Sequence, residues 1–303
     1  MAQTSIVLTN LVRDYKPNEN YIAGQIFPTV GVSGSPLKAK TFGKDMFKVY
    51  KTLRAKYGKA NVAFSEEHEE ITVDLKNHEL AFILDKDNTA TEDVQDMRRR
   101  NAKKAKEGID LRREVDVASK VNDSNLYPTG HKITLTGTDQ WSDPDNSDPI
   151  KDVFDGKQVV AAKIGKEPNL LVLPKAVYNK LIFHSQFIIT AVTGQKQPAT
   201  IEVLKAKFDI KEIAVGDAVK LDESDNSFGA IWSKNVQLLY INPEKKPNKE
   251  DVSFGYCFQE NGFPKADEYE SGDGNNQFQR AKDKYSDEIL CIEAGYLIID
   301  AIA

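Results

Sequence analysis

The sequence predicts an α+β subunit, and three observations carry that expectation. The stretch from Ala90 to Asn122 contains no proline and consists almost wholly of good helix formers. At about 1.5 Å per residue it makes a strut of roughly 45 Å, more than an ordinary globular helix needs. The residues just before it alternate at period two, which is the pattern of strands. From Ile150 onward helical and strand patterns alternate, which describes a second, α/β unit.

Composition bounds the function classes. A chain of 303 residues suffices for two subdomains around one or two cores. Its 40% hydrophobic and 29% charged content is that of a folded globular protein. With 41 basic and 46 acidic residues, the chain as a whole does not read as a nucleic-acid binder. The start, MAQTSIVLTNLVRDYKP, lacks the basic and apolar regions of a secretory signal. No apolar run approaches the roughly 18 residues that span a bilayer. The best candidate, AGYLIIDAIA at the end, is short and interrupted by Asp300. Cys257 and Cys291 have no CxxC spacing and no clustered histidines beside them, so a zinc site is not expected and two buried reduced thiols are.

Taken in order, residues 1–45 hold Pro17, Pro28, Gly31, Gly34 and Pro36 among apolar islands such as Ile26-Phe27 and Val30, which predicts an extended arm. Such islands need a surface to lie on. Residues 46–84 predict a long two-stranded ribbon built from Met46–Lys51, Ile71–Leu75 and Leu80–Leu84, with a polar tip near Ala55–Lys59. An isolated ribbon is marginal in water, so it is expected to pack on a neighbour. In the long helix, Thr91 is the expected N-cap, with Glu92 and Asp93 in the first turn. Val94, Met97, Ala105, Ile109, Val115 and Ala118 mark a narrow apolar stripe that buries one side.

Residues 123–150 form a connector with a short strand at His131–Leu135 and with Trp141 as a lid on a core edge. Val153, Phe154, Val160 and Ile164 then predict a helix capped by Gly165. Leu170–Leu173 is a buried strand, Pro174 opens a helix through Phe183, and Pro198–Lys207 is another helix. Ile213–Val215 and Asn235–Ile241 are strands. The tail predicts a strand at Ser253–Phe258, a projecting Gly/Asp/Asn-rich turn at Tyr269–Asn276, and a long apolar strand at Glu288–Ile299.

Between Arg98 and Lys106, six of nine residues are basic and none is acidic: Arg98, Arg99, Arg100, Lys103, Lys104 and Lys106. A contact with phosphate is one account. A solvated face, or ion pairs with Glu107, Asp110, Glu114 and Asp116 or their equivalents in another subunit, is the preferred one, since charge runs on helices are usually solvated. No catalytic constellation is found. His68, His78, His131 and His184 are scattered, and the GxSxG, HExxH and GxxxxGK[ST] patterns are absent. Gly272-Asp273-Gly274 lacks the third glycine of a dinucleotide fingerprint. Glu66, Glu67, Glu69 and Glu70 read as a solubilising edge in preference to a carboxylate pair. No metal, cofactor or catalytic residue is therefore expected.

Several stretches, in this order, carry a resemblance. They are Asp148-Pro149-Ile150 before a helix; Glu167–Leu173 followed by the helix Lys175–Ile182 and His184; Ile231–Tyr240; Ser253–Tyr256; and Ala294–Ile299. With the arm, the two-stranded loop and the long helix, the chain is similar over nearly its whole length to the major capsid proteins of tailed bacteriophages, which share the HK97-like fold.

The resemblance implies an N-terminal arm at 1–45, an extended loop at 46–84 and a peripheral domain at 85–150 and 252–292, with a spine helix and a projecting loop near 264–284. It implies an axial domain at 151–251, completed by a final strand at 293–303. It further implies pentamers and hexamers of the chain in an icosahedral shell, which encloses double-stranded DNA held without sequence specificity. A separate scaffolding protein is expected, because the arm starts almost at residue 1. A portal and decoration or head-completion proteins are the other implied partners, with no membrane, and assembly would take place in the host cytoplasm. Gly108 is a candidate bend point in the spine. An encapsulin-like compartment shell is the rival reading on the same fold, and a hydrolase using an Asp/Glu pair is the rival from another class.

Overall fold

The computed structural model describes residues 3–41, 49–54, 56, 58–62, 70–85, 94–190, 195–222, 224, 226–244, 251–270, 272 and 276–303. The chain opens with β1 (Gln3–Thr4), α1 (Ile6–Arg13), α2 (Ala23–Ile26), β2 (Thr29–Val32) and β3 (Leu37–Lys40). β4 (Glu70–Val73) and β5 (Lys76–Asp85) lead to α3 (Val94–Asn122), and β6 (Lys132–Thr134) leads to α4 (Pro149–Ile164). Next come β7 (Leu170–Pro174), α5 (Lys175–Leu181), β8 (Ile189–Thr190), β9 (Lys196–Gln197), α6 (Ile201–Phe208) and β10 (Glu212–Gly216). The last strands are β11 (Val219–Asp222), β12 (Ser227–Ala230), β13 (Val236–Leu239), β14 (Gly255–Glu260), β15 (Lys265–Glu270), β16 (Asn276–Ile289) and β17 (Gly295–Ile299).

Two sheets organise these elements. The first has six strands in the order β1-β15-β16-β14-β2, with β5 also paired to β16. The second has five, in the order β10-β7-β13-β17-β6. Its interior strand β7, between β10 and β13, is buried along its whole length, as the apolar run Leu170–Leu173 predicts. α4 lies over this sheet and ends as expected on Gly165, which adopts φ 67° and so takes the left-handed conformation that favours glycine. Asp148 caps its start by accepting from the Lys151 amide at 3.0 Å. Phe154 is the exception among its predicted core positions, since it is partly exposed while Val153, Val160 and Ile164 are buried.

Four expectations are corrected. The arm is not extended throughout: residues 6–13 form α1, whose Ser5 cap accepts from the Leu8 amide at 3.3 Å. Leu8 and Val12 bury against Ala102 of α3 and Ala266 of β15, so tertiary packing stabilises a helix too short to persist alone. Among the described residues the ribbon is not self-paired. β4 pairs with β3 of the arm, and β5 pairs with β16 over ten residues, from Lys76↔Tyr285 to Asn276↔Asp85. Met46–Lys48 lie outside the described residues, and Val49–Leu53 form no strand. The segment 264–284 is not a projecting loop, because β15 and β16 are paired strands within the six-stranded sheet. The strand expected at Glu288–Ile299 is broken by a turn of 3₁₀ helix at Ile292–Ala294, where the chain crosses from one sheet to the other.

The islands of the arm do find a surface. Ile22, Ala23, Ile26 and Phe27 join one continuous core with α3 and the five-stranded sheet. Val30 and Ala39 pack with Val73, Leu75, Tyr256, Phe258 and Leu290 in a second cluster.

Candidate functional site

α3 is the element on which both sheets and the arm converge. At 29 residues it is roughly 44 Å long. The expected cap residues Thr91, Glu92 and Asp93 lie outside the described residues. Its buried arc is Ala102, Ala105, Ile109, Val117, Ala118 and Val121, and it also contains two charged side chains, Lys106 and Glu114. Of the predicted stripe, Ala105, Ile109 and Ala118 are buried, while Val94, Met97 and Val115 are only half-buried.

Glu114 is fully buried. Its Oε1 accepts from the Ile22 amide at 2.9 Å and from the Trp232 indole Nε1 at 2.8 Å, and its Oε2 accepts from the Ala23 amide at 2.9 Å. The carboxylate thus serves the first amides of α2, where it also meets the positive end of a helical turn. Burial pushes its pKa up against the opposing pull of these three donors. The adjacent Arg113 donates to the Asp287 carboxylate, with Nη2 to Oδ1 at 2.8 Å, and to the Phe27 carbonyl at 3.1 Å. Two consecutive residues therefore tie the spine to the arm, to β16 and to the Trp232 loop of the five-stranded sheet.

The basic run divides by the face each residue occupies. Arg98 turns toward the sheet, where Nη2 donates to Gln277 Oε1 at 2.8 Å and Nε lies 3.7 Å from Glu268. Lys106 is buried, paired with Asp110 one turn on and 3.8 Å from Asp283 of β16. Arg99, Arg100, Lys103 and Lys104 are exposed. At about 100° per residue these four fall within one arc, together with Asp96 and Glu107. Arg99 lies 3.6 Å from Asp96, whereas no acidic side chain among the described residues pairs with Arg100, Lys103 or Lys104.

The acidic partners also sort themselves. Asp110 takes Lys106, Asp116 takes Arg112 at 2.8 Å, and Glu114 takes no cation of the run. Glu114 and Trp232 were not singled out as a pair by the sequence. The available signal is Glu114 at i−4 and i−7 from Ala118 and Val121, an acid on the apolar arc.

The residues weighed for catalysis are not gathered. His78 stacks on Tyr285, His131 Nδ1 meets the Gly295 carbonyl at 2.9 Å, and His184 meets Ser147 at 3.0 Å. Glu70 pairs with Lys38 at 2.7 Å, while Glu66, Glu67, His68 and Glu69 lie outside the described residues. Among the described residues no group of His, Cys, Asp or Glu could hold a metal ion, and no helix is long and apolar enough to cross a membrane.

No protein-family model matches the sequence. A major capsid protein of Burkholderia phage BcepMu is 32% identical over 295 residues, covering 96% of this chain and 94% of that protein. The chain belongs to the major capsid proteins of tailed bacteriophages. A phage-related protein from Bordetella bronchiseptica RB50 superposes with a TM-score of 0.80 at 26% identity, over 99% of this capsid chain and 98% of that one. The virus-like particle of Pyrococcus furiosus gives a TM-score of 0.55 at 15% identity over 96% of this chain and 95% of that one, a likeness of fold alone. The fold is HK97-like, as the resemblance implied, and phage capsid proteins are components of the virion.

Proposed function

We propose that copies of this capsid protein associate as pentamers and hexamers into an icosahedral shell that encloses double-stranded DNA. The observation that carries the reading is the capsid relative aligned over 96% of the chain. In this reading 1–45 is the arm and 46–84 the extended loop that reaches a neighbour. Residues 85–150 and 252–292 form the peripheral domain, whose six-stranded sheet also takes strands from the arm and the loop, and 151–251 with 293–303 form the axial domain, whose five-stranded sheet also takes β6. The role is architectural and not enzymatic. Weak contacts repeated over many copies give a strong shell by multivalency. A separate scaffolding protein, a portal and decoration or head-completion proteins are the partners, and the host cytoplasm is the assembly site.

The exposed arc of Arg99, Arg100, Lys103 and Lys104 is the part of the basic run available to another molecule, and phosphate of the packaged DNA is the ligand assigned to it. Negative-stain microscopy of the purified protein tests the shell: closed particles, rings or tubes are expected, and a stable monomer overturns it. Reversing Arg100 and Lys103 to Glu is expected to leave shells intact while lowering the DNA they retain. Loss of the shells themselves would instead assign this face to a neighbouring subunit.

A further inference from the structure

β11 and β12 leave the five-stranded sheet as a hairpin that, among the described residues, pairs only with itself. Its register sets Val219 opposite Ala230 and Leu221 opposite Phe228. Side chains alternate along each strand, so these four share one face, and Lys220, Asp222 and Ser227 take the other. The first face is wholly apolar, yet Phe228 is 77% exposed and Val219 and Leu221 are each 49% exposed. A free two-stranded hairpin is marginal in water, and a solvated one gains nothing from an apolar face.

A complementary feature lies elsewhere on the same unit. Trp141, Pro144, Lys180, Phe183 and His184 border a cavity of about 330 Å³. Pockets of roughly 300 Å³ and above enclose small organic ligands, so one aromatic side chain fits. Phe183 stands 61% exposed at its rim. Lys180 is exposed beside it and has no ion-pair partner among the described residues. Asp222, exposed at the end of β11, is an acid that complements this lysine.

We infer that a second copy of this chain covers the hairpin, with Phe228 of one subunit seated in the cavity beside Phe183 of the next. The inference rests on the shell reading above. The two surfaces differ, so the contact is head-to-tail, the kind that closes rings. It deepens that reading by naming the side chains that join neighbours around a ring.

The test places Phe228→Cys and Phe183→Cys together in the full-length chain and oxidises the assembled protein. Covalent oligomers running up to closed rings are expected, and Cys257 and Cys291, both buried, stay out of the reaction. Separately, Phe228→Ser should lower particle yield at least tenfold with an unchanged unfolding midpoint, because the side chain is largely exposed in its own subunit. An assembled double variant that yields no covalent oligomer on oxidation overturns the inference and leaves the shell standing. So does Phe228→Ser assembling as wild type, or Phe228→Cys alone crosslinking hairpin to hairpin. A wild-type protein that forms no particles overturns the shell reading, and the inference falls with it.

Discussion

The Trp232 indole donates to Glu114 at 2.8 Å, and the same carboxylate holds the Ile22 and Ala23 amides at 2.9 Å. One buried side chain on the spine therefore joins the arm to the five-stranded sheet. Trp232 is itself 3% exposed and packs over Gly216 at the end of β10.

Removing that carboxylate leaves three buried donors unpaired. At about 1–3 kcal/mol for each unsatisfied group, partly relieved by relaxation, Glu114→Ala is expected to cost about 3–5 kcal/mol. Glu114→Gln keeps one acceptor oxygen and should cost about 1–3 kcal/mol. Urea unfolding measures both, and a shift in Trp232 emission with a quiet Trp141 would localise the change. A loss below about 1 kcal/mol for the alanine variant would show that the arm is not held here.

His184 predicts a dependence on pH. The Gln186 amide donates to Nδ1 at 3.2 Å, so the neutral ring carries its proton on Nε2 and donates it to Ser147 Oγ at 3.0 Å. Ser147 in turn donates to the Asp143 carbonyl at 2.6 Å. Burial lowers the pKa of His184, opposed by Asp143, Asp148 and Asp145. With the folded value depressed, the unfolded chain takes up the proton first. The ring's contribution is then complete above about pH 6.5 and declines as the pH falls below that. The stability gap between wild type and His184→Gln should narrow between about pH 7.5 and 5, by no more than about 1.4 kcal/mol per pH unit. Parallel stability–pH curves would refute this role.

Two glycines should respond differently to alanine. A Cβ on Gly255 would lie 2.4 Å from the Glu288 carbonyl and 2.5 Å from the Phe27 ring, both fixed parts of the junction between arm and sheet. Gly255→Ala is expected to cost about 3 kcal/mol, the upper end for overpacking. At Gly108 the obstacle is the Leu80 Cδ2 methyl at 2.5 Å, on a side chain that is 37% exposed and free to turn outward. Alanine there regains about 1 kcal/mol of helix propensity, so Gly108→Ala should be near neutral in thermal melts. α3 is helical through Gly108, where the glycine admits Leu80 of β5 to close contact.

The sequence by itself determined the elements whose periodicity and caps are local. The long helix and the buried strand at Leu170–Leu173 form where their patterns lie, and the α4 helix forms where pattern and the caps Asp148 and Gly165 agree. It also placed Trp141 on the core, where the indole donates to Asp152 at 2.9 Å.

Tertiary structure alone decided the partners. Period-two alternation marks β4 and β5 as strands but does not say that one pairs with the arm and the other with β16, because register is set by surfaces distant in sequence. Composition likewise gives six basic residues between Arg98 and Lys106, and only the fold buries Lys106 on Asp110 while leaving Arg100, Lys103 and Lys104 in solvent. A charge is silent in sequence about its neighbours, and those neighbours decide whether it serves the subunit or a partner.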